Sequence, residues 1–281
     1  MKSEQSPDNR DKIDKNISQS VARALSVLDL LGDSAAELGV REIARRLKIA
    51  PSIAQRLLST LAASNYVEHG ADGLKYRIGH RAFQIGRAYL SHTDLQAVSL
   101  PELRIMAERD RINSYLGVLR DGAVIYLAAL QSHGPIAITS APGSRGCLHS
   151  TAFGKALLAE LTDDEVANVV GPEPFRRLTA HTKTDLASLL TELADVRRLG
   201  YAVSDQENLD SVFAVGAVIR DATGQAIAAL SGALPRNQLG PDDRENLCSI
   251  VCAAALRISQ RLGLSPLMTS QKPAAAPALQ E

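Results

Sequence analysis

The chain has 281 residues, 45% hydrophobic and 22% charged, with a formal net charge of +0. This is the balance of a globular protein in water, long enough for two domains that each bury a core. It speaks against a membrane-spanning class, since no apolar run approaches the roughly 20 residues a bilayer requires, and the polar opening MKSEQSPDNRDKIDKN lacks the apolar stretch of a secretory signal.

The zero net charge conceals an asymmetry. From Lys15 to His92 there are 11 Lys and Arg against 6 Asp and Glu, whereas from Thr93 onward there are 17 against 21. A basic front half predicts that one segment meets a polyanion while the rest does something else. Cys147, Cys248 and Cys252 have no metal-ligand or disulfide-framework spacing, so buried thiols in a cytoplasmic protein are expected, with no metal and no cofactor.

In chain order, residues 1–16 are charged and aperiodic and are expected to form a disordered tail. Ser18–Leu31 repeats Val21, Leu25, Leu28 and Leu31 at helical spacing and stops at Gly32. Val40–Leu47 reads as a compact helix. Pro51 suits the first turn of the next one, Pro51–Ala63, with Ile53, Leu57, Leu58 and Leu61 inward. Two short helices across a tight turn make a helix-turn-helix. Tyr66–Glu68 and Leu74–Ile78 are strand-like runs around an Asp72-Gly73 turn, and a hairpin directly after a recognition-type helix is a wing.

Burying those apolar positions leaves Ser52, Gln55, Arg56 and Ser59 outward. A hydroxyl at a helix start suits a phosphate, a Gln amide can read adenine, and an Arg can read guanine or take a phosphate. Arg41, Arg45 and Arg46 on the preceding helix, with Lys75 and Arg77 on the wing, are suited to phosphates. Each of these residues also reads as ordinary solvated surface.

Residues 79–109 look helical, with a break before Pro101. The segment 79–92 is read as a linker helix. Strands are expected at 112–119, 123–130, 136–139, 212–219 and 225–231, and helices at 151–161, 163–170, 185–199 and 241–262. That order, with hairpin turns, predicts an α+β sheet domain over 93–264, followed by a disordered tail over 265–281. The junction Arg145–Gly154 brings together glycines, hydroxyls, His149 and a helix N-terminus, whose free N–H groups favour an anion.

At Gly143–Ala159 the sequence GSRGCLHSTAFGKALLA resembles the signature of the IclR-type bacterial transcriptional regulators. SVARALSVLDLL, QRLLSTLAASNYVEHGADGLKYRIG and RRLGYAVSDQENLDSVFAVGAVIRDATGQAIAALSGALP agree with it, from about residue 17 to 262. The resemblance implies an N-terminal winged helix-turn-helix, a linker helix and a C-terminal GAF- or PAS-like effector domain whose antiparallel sheet is flanked by helices. It also implies a homodimer or homotetramer that binds double-stranded operator DNA and responds to a small organic or aromatic acid, with a repressor favoured over an activator.

By the same resemblance, Ala152 and Phe153 offer backbone N–H groups to an acid, Thr139, Val212, Ala214 and Ser231 line the cavity, and Ser204 stands opposite. Gly146, His149 and Asp205 complete the expected effector set, although His149 also reads as a loop-holding residue and strand alternation turns Asp205 away. The chain departs from the family pattern at Ile53 (often Thr), Cys147 (often Pro), Ser204 (an acid) and Ala214 (Cys in some members). Smaller and less acidic side chains predict a roomier pocket and hence a larger, aromatic acid.

Two other classes compete. Cys147, His149, Ser150 and Asp205 could be assembled into a nucleophile-base set, making the second domain an enzyme, but there is no nucleophile elbow, P-loop or zinc spacing. The winged helix could instead bind protein.

Overall fold

The computed structural model describes residues 18–70, 72–91, 94–132, 141–240 and 242–265. The strand expected at 136–139, with Thr139, lies outside them, as do the expected tails apart from Ser265. The chain divides into two compact units, residues 1–92 and 93–281.

In the first unit, α1 (Gln19–Gly32) precedes β1 (Leu38–Gly39), α2 (Val40–Arg46) and α3 (Pro51–Ala63). Pro51 opens α3, where a missing N–H leaves no hydrogen bond unmade. The turn between α2 and α3 is closed by Lys48 at φ 53, and Ile49 N–H donates to the Ala44 carbonyl at 3.0 Å. β2 (Val67–His69) and β3 (Lys75–Ile78) pair antiparallel with Glu68 opposite Arg77, and β1 adds to β3 with Leu38 opposite Tyr76. At the hairpin tip Gly73 holds φ +69, a left-handed position that suits glycine, while Asp72 Oδ1 accepts the N–H groups of Leu74 and Lys75.

The unit's core joins Val27 and Leu31 of α1 to Ile43 and Ala44 of α2, Ala54, Leu58 and Leu61 of α3, and Val67 and Tyr76 of the hairpin. Here the expected inward set needs correcting. Ile53 and Leu57 are only half-buried, and Ala54 takes the innermost place on α3. A methyl side chain lets helices approach closely, a packing demand that periodicity does not express. Ile53 instead lines a groove of about 480 Å³ with Val21, Leu25, Leu28 and Tyr66, and Leu57, which also packs on the core, borders it. Val21 and Leu25 are 58% and 56% exposed, so the apolar stripe of α1 only partly faces its own core. Helix α4 (His80–Ser91) ends the unit and also exposes Phe83.

The second unit begins with α5 (Asp94–Glu108), which carries Pro101 in its interior without ending there, against the expected break. Among the described residues six strands follow: β4 (Asn113–Arg120), β5 (Ala123–Leu130), β6 (Arg145–Gly146), β7 (Ala202–Asp205), β8 (Val212–Arg220) and β9 (Ala226–Pro235). They form one antiparallel sheet in the order β6-β5-β4-β9-β8-β7. Between β6 and β7 lie α6 (Ala152–Leu158), α7 (Asp163–Val170) and α8 (Leu186–Leu199), and α9 (Asp243–Arg261) closes the fold. α6 is shorter than the expected 151–161. Thr151 caps it and α7 has its own capping box, Thr162 with Glu165, which forces a boundary between them.

The two faces of the sheet are distinguished by where close approach occurs. A Cβ on Gly216 would lie 2.5 Å from the Ala152 carbonyl carbon and the Phe153 nitrogen, so α6 rests directly on β8 at a glycine. A Cβ on Gly232 would meet Val251, Met106 and Ile112, which places α5 and α9 on the other face. The first face packs Tyr115, Tyr126, Phe153, Leu157, Leu189 and Leu193 into one core. No described helix is long and apolar enough to cross a membrane.

Candidate functional site

The first unit presents a polar surface. Along α3, Ser52, Gln55, Arg56 and Ser59 are all exposed, on the side away from buried Ala54, Leu58 and Leu61. Gln55 Nε2 lies 3.5 Å from Ser59 Oγ and 3.4 Å from the Tyr76 hydroxyl, so the wing orients the amide that the helix presents. Arg41, Arg45, Arg46, Lys75 and Arg77 are exposed around it.

Most of these cations face an acid. Glu42 holds both Arg45 (2.7 Å) and Arg46 (2.6 Å), and those two guanidiniums bring its carboxyl down to about 2, Arg45 contributing most. Arg77 meets Glu68 at 2.9 Å and Glu37 at 3.6 Å, and Lys75 meets Asp72 at 3.7 Å. Among the described residues, Arg41, Lys48 and Arg56 form no ion pair. Lys48, at the tip of the turn between α2 and α3, was missed by the sequence reading; its place in that turn was the available signal.

The second unit contains a small cavity between the sheet and the start of α6. It is lined by Tyr115 of β4, Tyr126 of β5, Thr151–Phe153, Ser204 of β7, Asn208 and Leu209 of the β7–β8 loop, Val212 and Ala214 of β8, and Ser231 and Ala233 of β9. Strand register explains the set: Ala214 pairs with Ser204 on one side and Ala233 on the other, and Ser231 pairs with Tyr115. All of these point to the α6 face. The Thr151 hydroxyl accepts the Gly154 N–H at 3.2 Å, which leaves the N–H groups of Ala152 and Phe153 without a partner inside the helix. The serine hydroxyls are committed: Ser204 donates to the Ser150 carbonyl at 2.7 Å, Ser231 to the Val215 carbonyl at 2.9 Å, and Ser150 to Asn208 Oδ1 at 3.1 Å. Burial pushes the Tyr115 phenol well above its ordinary range, with Tyr126 adding to the shift.

A charged quartet shares α6 and the β7–β8 loop with the cavity. Lys155 is wholly buried, and its Nζ donates to Glu192 Oε1 and Glu207 Oε1 at 2.6 Å each. Lys183, one-third exposed, reaches the second oxygens of both carboxylates at 2.9 and 3.7 Å. Burial raises the Glu207 carboxyl above its usual value, against the pull of Lys155. The quartet ties α6 and α8 to the start of the β7–β8 loop.

Two family models cover most of the chain. The IclR helix-turn-helix domain matches residues 20–70, and the bacterial transcriptional regulator IclR C-terminal domain matches residues 87–260. The chain belongs to the IclR family. The regulator BhcR of Paracoccus denitrificans is 32% identical over 88% of this chain and 88% of its own length. The repressor AllR of Klebsiella pneumoniae is 30% identical over 88% of this chain and 91% of its own. A crystallised IclR homologue from Microbacterium hydrocarbonoxydans, in complex with 4-hydroxybenzoate, superposes with a TM-score of 0.75 at 27% identity, over 87% of this chain and 99% of that one. The protein is therefore a DNA-binding transcriptional regulator with the family's effector domain, and not an enzyme.

Within this IclR-family effector domain the structure gathers Ala152, Phe153, Ser204, Val212, Ala214 and Ser231 around one cavity, and leaves three expected residues outside it. His149 places Nε2 3.0 Å from the Arg176 carbonyl and its ring 5.3 Å from Phe175, holding a loop; burial pulls its pKa below the ordinary value. Asp205 pairs with Arg236 at 2.9 Å and Arg244 at 3.3 Å, as its alternate strand position dictates. Gly146 sits behind the Tyr126 ring. The nucleophile-base set imagined from Cys147, His149, Ser150 and Asp205 is not assembled, since the His149, Ser150 and Asp205 side chains each have their own structural partner. Among the described residues no group of three or more His, Cys, Asp or Glu could hold a metal. Asn208, Leu209 and Ala233 were not read as cavity residues, because loop path and pairing register are invisible in one sequence.

The expectation of a roomy pocket is corrected as well. The water-accessible space is about 50 Å³. Small residues on β8 and β9 do not leave a void, because Phe153, Tyr126 and Tyr115 project into it.

Proposed function

We propose that the protein is a repressor, acting as a homodimer or homotetramer in the cytoplasm, whose operator affinity is set by an organic acid in the α6 cavity. The observation that carries this reading is the exposed stripe Ser52, Gln55, Arg56 and Ser59, aligned beside a wing and ringed by basic side chains. Ser52 and the surrounding cations, Arg41, Arg45, Arg46, Lys75 and Arg77, engage phosphates; Gln55, Arg56 and Ser59 reach base edges. Two such units meet half-sites about 34–36 Å apart, or a multiple of that. The open apolar groove of α1 and α3 supports self-association, because a solvated face bearing Val21 and Leu25 is stabilised by a second copy.

For the effector, the first-turn N–H groups of Ala152 and Phe153, facing the cavity, suit a carboxylate. The 4-hydroxybenzoate held by the M. hydrocarbonoxydans homologue supports an acid as the ligand class, and the repressor name of AllR supports the direction of regulation. An acid that binds one arrangement of the dimer better shifts the population toward it, and operator affinity follows.

The test is fluorescence anisotropy of the full-length protein on duplex from its own upstream intergenic region, across a salt series. A steep loss of affinity with salt is expected, and Arg56→Ala weakens binding by about 1–3 kcal/mol. Equal affinity of wild type and Arg56→Ala removes that residue from the interface. No binding even at low salt returns the winged helix to the protein-interaction reading.

A further inference from the structure

The side chain of Gln55 is held from two sides. Its Nε2 donates to Ser59 Oγ, one turn along α3, at 3.5 Å, and to the Tyr76 hydroxyl of β3 at 3.4 Å. Both contacts are long, so the amide is set by the pair rather than by either one. The two partners differ in stiffness. Ser59 is exposed on the helix surface, whereas Tyr76 is 4% exposed and belongs to the core of the unit. Tyr76 lies on the middle strand of the three-stranded sheet, opposite Leu38 of β1 on one side and His69 of β2 on the other. Its ring meets that of His69 with centroids 4.5 Å apart. Lys75 and Arg77 on either side of it are exposed, as strand alternation requires. The phenol is therefore a fixed post planted in the sheet, with its oxygen beside Gln55.

A side-chain amide donates through its nitrogen and accepts through its oxygen. With the Nε2 hydrogens turned toward the hydroxyls of Ser59 and Tyr76, the atom left for an outside partner is Oε1. That changes what the residue can read. A free Gln takes adenine in bidentate fashion, donating to N7 and accepting from the N6 amine. A Gln whose N–H groups are taken presents an acceptor alone. In the major groove adenine and cytosine each carry an exocyclic amine that donates, whereas guanine and thymine offer acceptors and the thymine methyl. An acceptor set against an acceptor leaves both desolvated without a bond, so those two bases are disfavoured.

We infer that Tyr76 is a positioning residue for base recognition: it turns the Gln55 amide so that Oε1 faces the groove, and the protein selects an exocyclic amine, adenine or cytosine, where Gln55 reaches. This rests on the α3 stripe facing base edges. Being buried, Tyr76 acts through Gln55 and not by touching DNA.

Selection of bound duplexes from a randomised pool by the full-length protein fixes the site, and the position at which Gln55→Ala loses its preference is the one that Gln55 reads. There wild type is expected to accept adenine and cytosine on one strand about equally, and to disfavour guanine and thymine by about fivefold or more. In duplexes of the selected sequence, purine in place of adenine, which lacks the exocyclic amine, weakens binding by a similar factor. Substitution of 7-deazaadenine, which lacks the N7 acceptor, leaves binding unchanged. Tyr76→Phe, which keeps the ring against His69, erases the preference at this position alone or makes binding sensitive to 7-deazaadenine. Circular dichroism confirms that each variant is folded. Equal losses with purine and 7-deazaadenine in wild type overturn the inference, because the amide then donates to N7. So does a folded Tyr76→Phe variant that keeps the wild-type preference, or one that weakens binding to all sequences alike, as a merely structural residue would. A Gln55→Ala variant that selects the wild-type sequence at every position removes Gln55 from the base edges, and the underlying assignment of the stripe fails at that residue.

Discussion

Lys155→Met is the most informative single change in the effector domain. Among the largest fully buried side chains of the described residues, Lys155 is the one that carries a charge, and it contacts two carboxylates at 2.6 Å each. Methionine keeps much of the stem volume, so the loss is chiefly electrostatic. Without the ammonium, Glu192 and Glu207 face each other with Lys183 as the remaining cation, at 2.9 and 3.7 Å. Breaking a buried pair by removing one partner costs about 3–5 kcal/mol, because an uncompensated charge stays behind. Typical domain stabilities are about 5–15 kcal/mol, so the effector domain becomes marginal. Lys183→Met provides the contrast: its side chain is 33% exposed, and about 1 kcal/mol or less is expected. The assay is urea unfolding of the full-length protein followed by far-UV circular dichroism, since there is no tryptophan to report. Adding Glu207→Gln to Lys155→Met recovers part of the loss by removing a stranded carboxylate. If Lys155→Met and Lys183→Met cost the same, or if the double variant is no better than Lys155→Met, the reasoning about buried charge fails.

Three further predictions concern other parts of the molecule. Glu42→Gln releases Arg45 and Arg46 from their shared carboxylate, so binding to nonspecific duplex tightens and the salt dependence steepens; unchanged slopes show that the two arginines do not meet phosphates. Gly216→Ala drives a methyl into the backbone of α6 and is expected to cost about 1–3 kcal/mol and weaken effector binding at least tenfold, while DNA binding without effector persists; wild-type acid affinity in a titration would falsify the proposed seating of α6. His149 has its pKa held below its ordinary 6.5 by burial, so the unfolded chain binds the proton more readily. Stability from this group is present above that value and is lost as pH falls from about 6.5 through the lower folded-state pKa. His149→Gln therefore flattens the acid side of the stability profile, and parallel profiles in thermal melts refute the assignment.

Much of the architecture was legible because local rules and global demands agree. Pro51 at a helix start, the Asp72-Gly73 turn and the apolar run of β5 each state their conformation within a few residues, and the winged helix follows from the order of the first two. The cation-rich surface was also legible, because charge count and helix phase need no tertiary information. Where the two levels part, tertiary packing decides. Ile53 looks like core by periodicity, yet Ala54 occupies the contact because helices approach most closely over a small side chain. Arg45, Arg46 and Arg77 look like free phosphate ligands, yet folding brings acids to them.

The chain by itself determined which residues are able to read DNA, to cap a helix or to offer N–H groups to an anion, since those capacities are chemical. Only the folded structure decided that Tyr115, Tyr126, Phe153 and Asn208, spread over almost a hundred positions, share one cavity and leave it small. The physical reason is that the volume of a cavity is what remains after strand register and side-chain packing are satisfied together. Each residue constrains it, and no single segment encodes it.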